Sequence, residues 1–180
     1  MSDEKDNALV EACLSGDRTA FDELLTRYET RIYNVIMRVT GNREDAMDAT
    51  QSAFLKAYDH LPSFKPEHRF FSWICKIGVN EALNQLKKQQ RMTSLEFETP
   101  ATTADPEQEY YGRQTGGKIH QALQALNPDY RVVVVLRHFH DLSYQEMSEV
   151  LGVEIKTIKS RLFTARKTLR DLLIQDGLLP

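Results

Sequence analysis

The sequence predicts an all-α protein: two small helical domains joined by a flexible linker, the C-terminal one a helix-turn-helix. Three observations carry this. Apolar residues recur at three- and four-residue spacing over most of the 180 residues, and strand-like alternation is absent. Residues 92–117 lose that periodicity and hold Thr99-Pro100-Ala101-Thr102-Thr103, Asp105-Pro106 and Gly116-Gly117. A structureless stretch of that length is uncommon inside one compact domain and reads as a tether. The end of the chain combines a capped short helix, a glycine turn and a basic amphipathic helix, the outline of a helix that enters a DNA groove.

Each element has a local reason. Asn7 to Leu14 reads as a short helix ended by Gly16. Asp17 caps a long helix to about Thr40, with Phe21, Leu24, Leu25, Tyr28, Ile32, Val35, Ile36 and Val39 on one side. Gly41-Asn42 breaks it, and Asn42 caps a third helix whose first turn holds Glu44 and Asp45, where the dipole favours acids. That helix ends near Leu61-Pro62; 63–69 is a loop, and a fourth helix runs from about Phe70 to Arg91. The linker has room for one helical turn between Glu107 and Gly112. Beyond it, Ile119 to Leu126 is a helix, and Asn127-Pro128 starts another that reaches about His138 and contains the β-branched run Val132 to Val135. Ser143 and Glu146 form a capping box for the next short helix. The turn Leu151-Gly152-Val153 leads into the last helix, from Ile155 to Arg170. These elements group as a domain over 1–91, an acidic linker over 92–117 and a second domain over 118–180.

The net charge of −3 hides a strong asymmetry. Residues 1–60 hold seven basic against twelve acidic side chains, 61–91 six against two, 92–117 one against five, and 118–180 nine against seven. Within the last segment, 154–170 alone carries six basic residues and one acid. Two basic islands separated by an acidic stretch suggest two DNA contacts and at least one contact with something else. Cys13 and Cys75 are far apart, and no Cys/His spacing fits a zinc site, so the thiols read as buried groups in a reducing compartment. The acidic, polar N-terminus does not resemble a secretory signal, and no apolar run approaches the ~20 residues that cross a bilayer. A cytoplasmic chain with no membrane insertion is expected.

Three helix faces could carry function. On the last helix, Lys156, Lys159, Ser160, Phe163, Lys167 and Arg170 share one side, while Ile155, Ile158, Leu162, Ala165 and Leu169 lie opposite. An aromatic ring amid cations is poor surface design unless something covers it; a thymine methyl or a sugar would do so. Lysines there reach phosphates or guanine, and Ser160 lets the backbone approach. Arg161, nearer the apolar edge, reads as a structural residue that pairs within its domain or as a flanking phosphate contact. On the fourth helix, Trp73, Lys76, Asn80, Asn84, Lys87 and Arg91 form a stripe, preceded by a loop with Phe64, Lys65, His68 and Arg69. Cations for phosphates, amides for base edges and a ring for stacking are the ingredients of single-stranded DNA binding. On the third helix, Ala46, Met47, Thr50, Ala53, Phe54, Ala57 and Tyr58 read as the inward face, with Asp45, Asp48, Gln51 and Leu55 on the flank and outside. That flank suits a basic protein surface. No catalytic constellation, phosphate loop, metal site or cofactor motif is present, so an enzyme is not expected. His138 and His140, beside Phe139 at a helix end, read as structural, with imidazolium suited to the dipole. From residues alone a free-standing helix-turn-helix regulator remains an alternative, although it leaves the Trp73–Arg91 stripe unexplained.

Three stretches together, REDAMDATQSAFLKAYDHLPSF, FFSWICKIGVNEALNQLKK and LSYQEMSEVLGVEIKTIKSRLFTARKTLRDLL, resemble the extracytoplasmic-function sigma factors of bacterial RNA polymerase, most nearly their envelope-stress branch. The order is also that family's: sigma domain two, a linker, sigma domain four. The resemblance implies a subunit that binds core polymerase and directs promoter-specific initiation. Asp45, Asp48, Gln51 and Leu55 would meet the β′ clamp helices, Asp48 and Gln51 matching the family's D-x-x-Q. Phe64, Lys65, His68, Arg69, Trp73, Lys76, Asn80, Asn84 and Lys87 would melt and read the −10 element. Lys156, Thr157, Lys159, Ser160, Phe163, Arg166 and Lys167 would read the −35 element in the major groove. The resemblance also implies the β flap as a contact, an acidic linker threaded through the polymerase channel, and an anti-sigma factor as partner. The chain departs from the family in its stiffer loop, Lys65-Pro66-Glu67-His68-Arg69, and in Lys159 where arginine is frequent. Lysine lacks the bidentate fork for guanine, so base preferences do not carry over.

Overall fold

The computed structural model describes residues 2–95 and 115–178. Among the described residues there are eight helices and no strand: α1 (Ser2–Leu14), α2 (Arg18–Thr40), α3 (Arg43–His60), α4 (Phe70–Leu95), α5 (Thr115–Ala125), α6 (Pro128–His138), α7 (Tyr144–Leu151) and α8 (Ile155–Gln175). A single 3-10 turn, Leu61–Ser63, joins α3 to the loop before α4.

Capping chemistry sets several boundaries. The Asp17 carboxylate accepts from the Thr19 backbone N–H at 2.9 Å to open α2, and Asn42 accepts from that of Asp45 at 3.0 Å to open α3. Gly41 ends α2 in the left-handed region, φ 71°, and gives its N–H to the Met37 carbonyl. The Ser143–Glu146 box at the start of α7 forms in both directions, at 3.2 and 2.8 Å. Where the sequence reading differs, packing overrides local signals. α1 starts at Ser2 rather than Asn7 because Asp6, fully buried, anchors its early turns on α2 through Arg27 and the Tyr28 hydroxyl. α4 continues four residues past Arg91, to Leu95. α5 opens at Thr115, taking in Gly116 and Gly117, which the sequence reading placed in the linker. First-turn N–H groups lack intrahelical partners, so helix-forming preference is least costly to violate there. α8 runs to Gln175, its added turn resting on half-buried Leu172 and Leu173. The turn expected over 107–112 lies outside the described residues.

In the first half, α2, α3 and α4 pack around Leu24, Ile32, Ile36, Ala46, Ala53, Ile74 and Val79. Gly78 lets α4 pack tightly on α2: a Cβ there would lie 3.0 Å from Ile36 Cδ1 and 3.3 Å from Ile32 Cγ2. In the second half, α6, α7 and α8 enclose Val132, Leu136, Leu142, Met147, Ile158 and Leu162. The two halves also pack on one another, α7 against α4 and α5 and α6 against the end of α2, so their buried residues form one continuous cluster.

Helix-end chemistry holds this contact. The last carbonyls of a helix have no intrahelical donor. Arg131, only 7% exposed, donates to the Val39 carbonyl of α2 at 2.5 Å and to the Gln124 and Leu126 carbonyls ending α5 at 2.6 and 3.0 Å. The Gln124 amide donates to the Arg38 carbonyl at 3.0 Å. A Cβ at Gly41 would lie 2.3 Å from the Gln124 oxygen, so this glycine supplies both the left-handed turn and the space. Arg31 stacks on Phe71, 3.6 Å from its ring centroid, and reaches the His140 carbonyl.

His140 faces Phe71, Arg31, Arg38 and Asp141. Burial, then the Arg31 and Arg38 cations, push its imidazole down to about 4. Burial and then Arg131 and Arg38 push His120 down too, and burial with Arg166 and Arg137 does the same for His138. This corrects the imidazolium reading: His138 and His140 sit among cations that favour the neutral ring. A histidine held below its unfolded value costs stability as the unfolded chain gains the proton first. Relative to His140→Gln, wild-type stability is expected to fall as pH drops from about 6.5 towards about 4. Thermal melts of both proteins across that range check this, and a constant difference would contradict it.

Candidate polymerase and nucleic-acid interfaces

The −35 candidate is α8. Ile158, Leu162 and Ala165 are buried beneath α6 and α7, which turns the opposite side outward. Lys156, Lys159, Ser160, Phe163, Arg166 and Lys167 are all exposed there, and Phe163 is 73% exposed. Thr157 is half-buried, lining a cleft with Asn127, Tyr130 and Ser160. Lys159 leans towards Tyr144, its Nζ 5.6 Å from the ring centroid. Arg166 donates to His138 Nε2 at 3.2 Å, which orients its guanidinium beside the row. Arg161 pairs with Asp129 at 3.2 Å, the first of the two roles expected for it.

The −10 candidate divides in two. Lys76, Asn80, Asn84 and Lys87 lie exposed along α4, and so does Arg91. The loop behaves differently. Phe64 is 8% exposed, its ring 5.6 Å from Phe70 and 5.5 Å from Trp73, so it is a core residue that supports the loop rather than an exposed stacking ring. Trp73 is half-buried with one edge against that cluster. Lys65 is exposed. His68 and Arg69 engage α7: His68 Nδ1 lies 3.2 Å from Glu149, and Arg69 lies 2.9 Å from Glu146 and 3.5 Å from Asp3. Burial opposes ionisation of Glu146, but its bonds from Ser143, with Arg69, hold its carboxyl below the usual range.

The third surface is a groove of about 1230 Å³ between α2 and α3. Asp48, Gln51 and Leu55 line it, Leu55 being 63% exposed. Asp45 turns away and accepts from Gln89 of α4 at 2.9 Å. Met47 and Tyr58, read from sequence as inward, are 53% and 43% exposed and line this groove with Leu25 and Tyr33. Small inward residues Ala46, Ala49, Ala53 and Ala57 bring α3 close to its neighbours and leave the bulky ones outside. Acids Asp22, Glu29 and Asp59 rim the same groove, a set that the pattern of α3 alone does not show because two of the three lie on α2.

Among the described residues, no group of three or more His, Cys, Asp or Glu side chains could hold a metal ion, and no helix is long and apolar enough to cross a membrane.

Comparison with known proteins agrees with this geometry. Residues 24–92 match the Sigma-70 region 2 model and 116–169 the Sigma-70, region 4 model. The chain is 32% identical to the RNA polymerase sigma-H factor of Pseudomonas aeruginosa, over 94% of each chain. It is 30% identical to the ECF RNA polymerase sigma-E factor of Escherichia coli K12, over 91% of this chain and 92% of that one. Its fold superposes with a TM-score of 0.73 on the sigma factor RpoE of Bartonella quintana, solved with the anti-sigma factor NepR, at 25% identity over 85% of this chain and 96% of that one. The chain belongs to the extracytoplasmic-function sigma factors of the sigma-70 family. It therefore acts with RNA polymerase core in promoter-specific initiation of transcription. A free-standing helix-turn-helix regulator would leave the region 2 match without a purpose.

Proposed function

We propose a division of labour among the three faces of this sigma factor. The α2–α3 groove, with Asp48, Gln51 and Leu55 at its centre, docks the β′ clamp helices, and the second domain meets the β flap. Lys65, His68, Arg69 and Trp73 with Lys76, Asn80, Asn84 and Lys87 hold the −10 strand: cations position phosphates and amides read splayed bases. Phe64 supports that loop from within the core. The face of α8 from Lys156 to Lys167 reads the −35 duplex. The functional units are the sequence-defined 1–91 and 118–180, extended by the ends of their own helices to Leu95 and from Thr115, with the acidic segment between them as the tether. Binding energy, rather than chemistry of the chain's own, offsets unstacking of a few kcal/mol per step. The protein works in the cytoplasm, where an anti-sigma factor holds it inactive, as NepR is bound to the Bartonella protein.

The observation that carries this reading is the outward row of α8, centred on a phenylalanine that its own fold leaves 73% exposed. Reconstituting the holoenzyme and sequencing its run-off transcripts tests it. Transcripts that start downstream of one shared two-part element support the reading; starts identical to those of core polymerase alone contradict it. For the groove, Leu55→Arg is expected to weaken core binding about tenfold or more, because burying an unpaired charge against a partner costs over 1.4 kcal/mol. Titrating labelled core checks this, with the thermal melt unchanged because Leu55 is exposed.

A further inference from the structure

α1 lies outside residues 24–92, the stretch that matches region 2, yet it packs on α2, α4 and the 3-10 turn and touches the loop before α4. It is held firmly to the body of the first half. Asp6 is fully buried and accepts from Arg27 and from the Tyr28 hydroxyl, and Val10, one turn on, is also buried. The residue after that anchor, Asn7, donates from Nδ2 to the Pro66 carbonyl at 3.2 Å. Asp3 precedes Asn7 by one turn, on the same side of the helix, and lies 3.5 Å from Arg69. α1 therefore meets the loop at both Pro66 and Arg69.

The loop's own bonding explains why it takes a partner. His68 gives its N–H to the Lys65 carbonyl at 3.0 Å, which closes a turn with Pro66 and Glu67 at its centre. Proline suits the first central position because its ring fixes φ at about −65°. That bond uses the Lys65 carbonyl and leaves the Pro66 carbonyl to a donor outside the turn, which Asn7 supplies. The two ends of the turn, Lys65 and His68, are residues assigned above to the −10 strand. A turn tied at its centre presents both in one arrangement, which lowers the ordering cost of binding.

We propose that Asn7 is a positioning residue for −10 recognition: acting through the Pro66 carbonyl, it sets where Lys65 and His68 stand when single-stranded DNA arrives. The proposal rests on the assignment of that loop to DNA.

The test uses the full chain with Asn7→Leu, which keeps the size of the side chain and removes the donor. Asn7→Gln keeps an amide donor on a longer arm, and Ala8→Leu puts leucine at the next, exposed position of the same helix. Loop position is read from Trp73, the chain's one tryptophan, whose ring lies 5.5 Å from that of Phe64 at the start of the loop. Affinity for single-stranded DNA is read separately, by anisotropy of labelled dT20. Asn7→Leu is expected to red-shift Trp73 emission, to increase its quenching by acrylamide and to weaken dT20 binding about two- to tenfold, the range for one such hydrogen bond. Asn7→Gln should recover most of both signals and Ala8→Leu should match wild type, with melts close to wild type because neither position is in the core. Trp73 signals left unchanged by Asn7→Leu overturn the positioning role, whatever dT20 does. An Ala8→Leu effect as large as that of Asn7→Leu overturns it as well. Altered Trp73 signals with unchanged dT20 affinity overturn the assignment of the loop to DNA, while leaving the tie between α1 and the loop in place.

Discussion

Phe163→Ala is expected to weaken binding of the holoenzyme to −35 duplex about 30-fold, the effect of losing a central aromatic contact of about 2 kcal/mol. Phe163 is 73% exposed and contributes little to the fold, so the thermal melt should not move. Lys159→Ala should act differently. If its ammonium meets phosphate, affinity falls about equally on all sequences and the slope of log K against log salt becomes shallower by about 1. Titrating duplexes with altered −35 steps at several salt concentrations separates the two: Phe163→Ala flattens sequence preference, and Lys159→Ala flattens salt dependence. A Phe163→Ala protein with wild-type affinity would remove the −35 assignment of this face.

The second large effect falls on stability. Arg131→Met leaves the Val39, Gln124 and Leu126 carbonyls without their shared donor, inside the contact between the two halves. Leaving buried acceptors unpaired costs about 1–3 kcal/mol each, part of which water recovers at the Gln124 end. A net loss of about 3 kcal/mol lowers the melting temperature by about 6–12 °C in a chain of this size. Burial lowers the guanidinium to about 10, so it is still charged at neutral pH and the bonds are charge-assisted. Arg131→Lys should recover only part of the loss, because an ammonium cannot reach two helix ends at once. A circular dichroism melt shifted by less than about 2 °C would contradict the bridging role.

Arg131 also shows where sequence reasoning stops. Its position in a valine-rich helix gives no local sign that its partners are the ends of α2 and α5; Val39 is 92 residues away. The helices were legible because Asp17, Asn42, Ser143 with Glu146, and Gly41 act on their own neighbours. The outward face of α8 was legible for the same reason, since a 3.6-residue period sorts Phe163 and the lysines from Ile158 and Leu162. Faces built by two helices were not. Met47 and Tyr58 follow the period of α3 towards a groove with α2, and periodicity alone cannot distinguish a groove from a core. Phe64 looked exposed because its loop is polar on either side, yet Phe70 and Trp73 close over it. The pairing of His68 and Arg69 with α7 depends on how the halves meet, which no local pattern encodes.

The central claim is that two cationic helix faces act on different forms of promoter DNA, α8 on paired strands and α4 on unwound ones. Holoenzymes carrying Phe163→Ala or Asn80→Ala should therefore fail at different steps. The direct measurement is duplex promoter binding and permanganate reactivity of −10 thymines, recorded on the same complexes. Phe163→Ala is expected to lose duplex binding, with normal reactivity in the complexes that do form. Asn80→Ala should bind duplex normally and open it slowly. Equal loss of binding and opening in both variants would contradict the account.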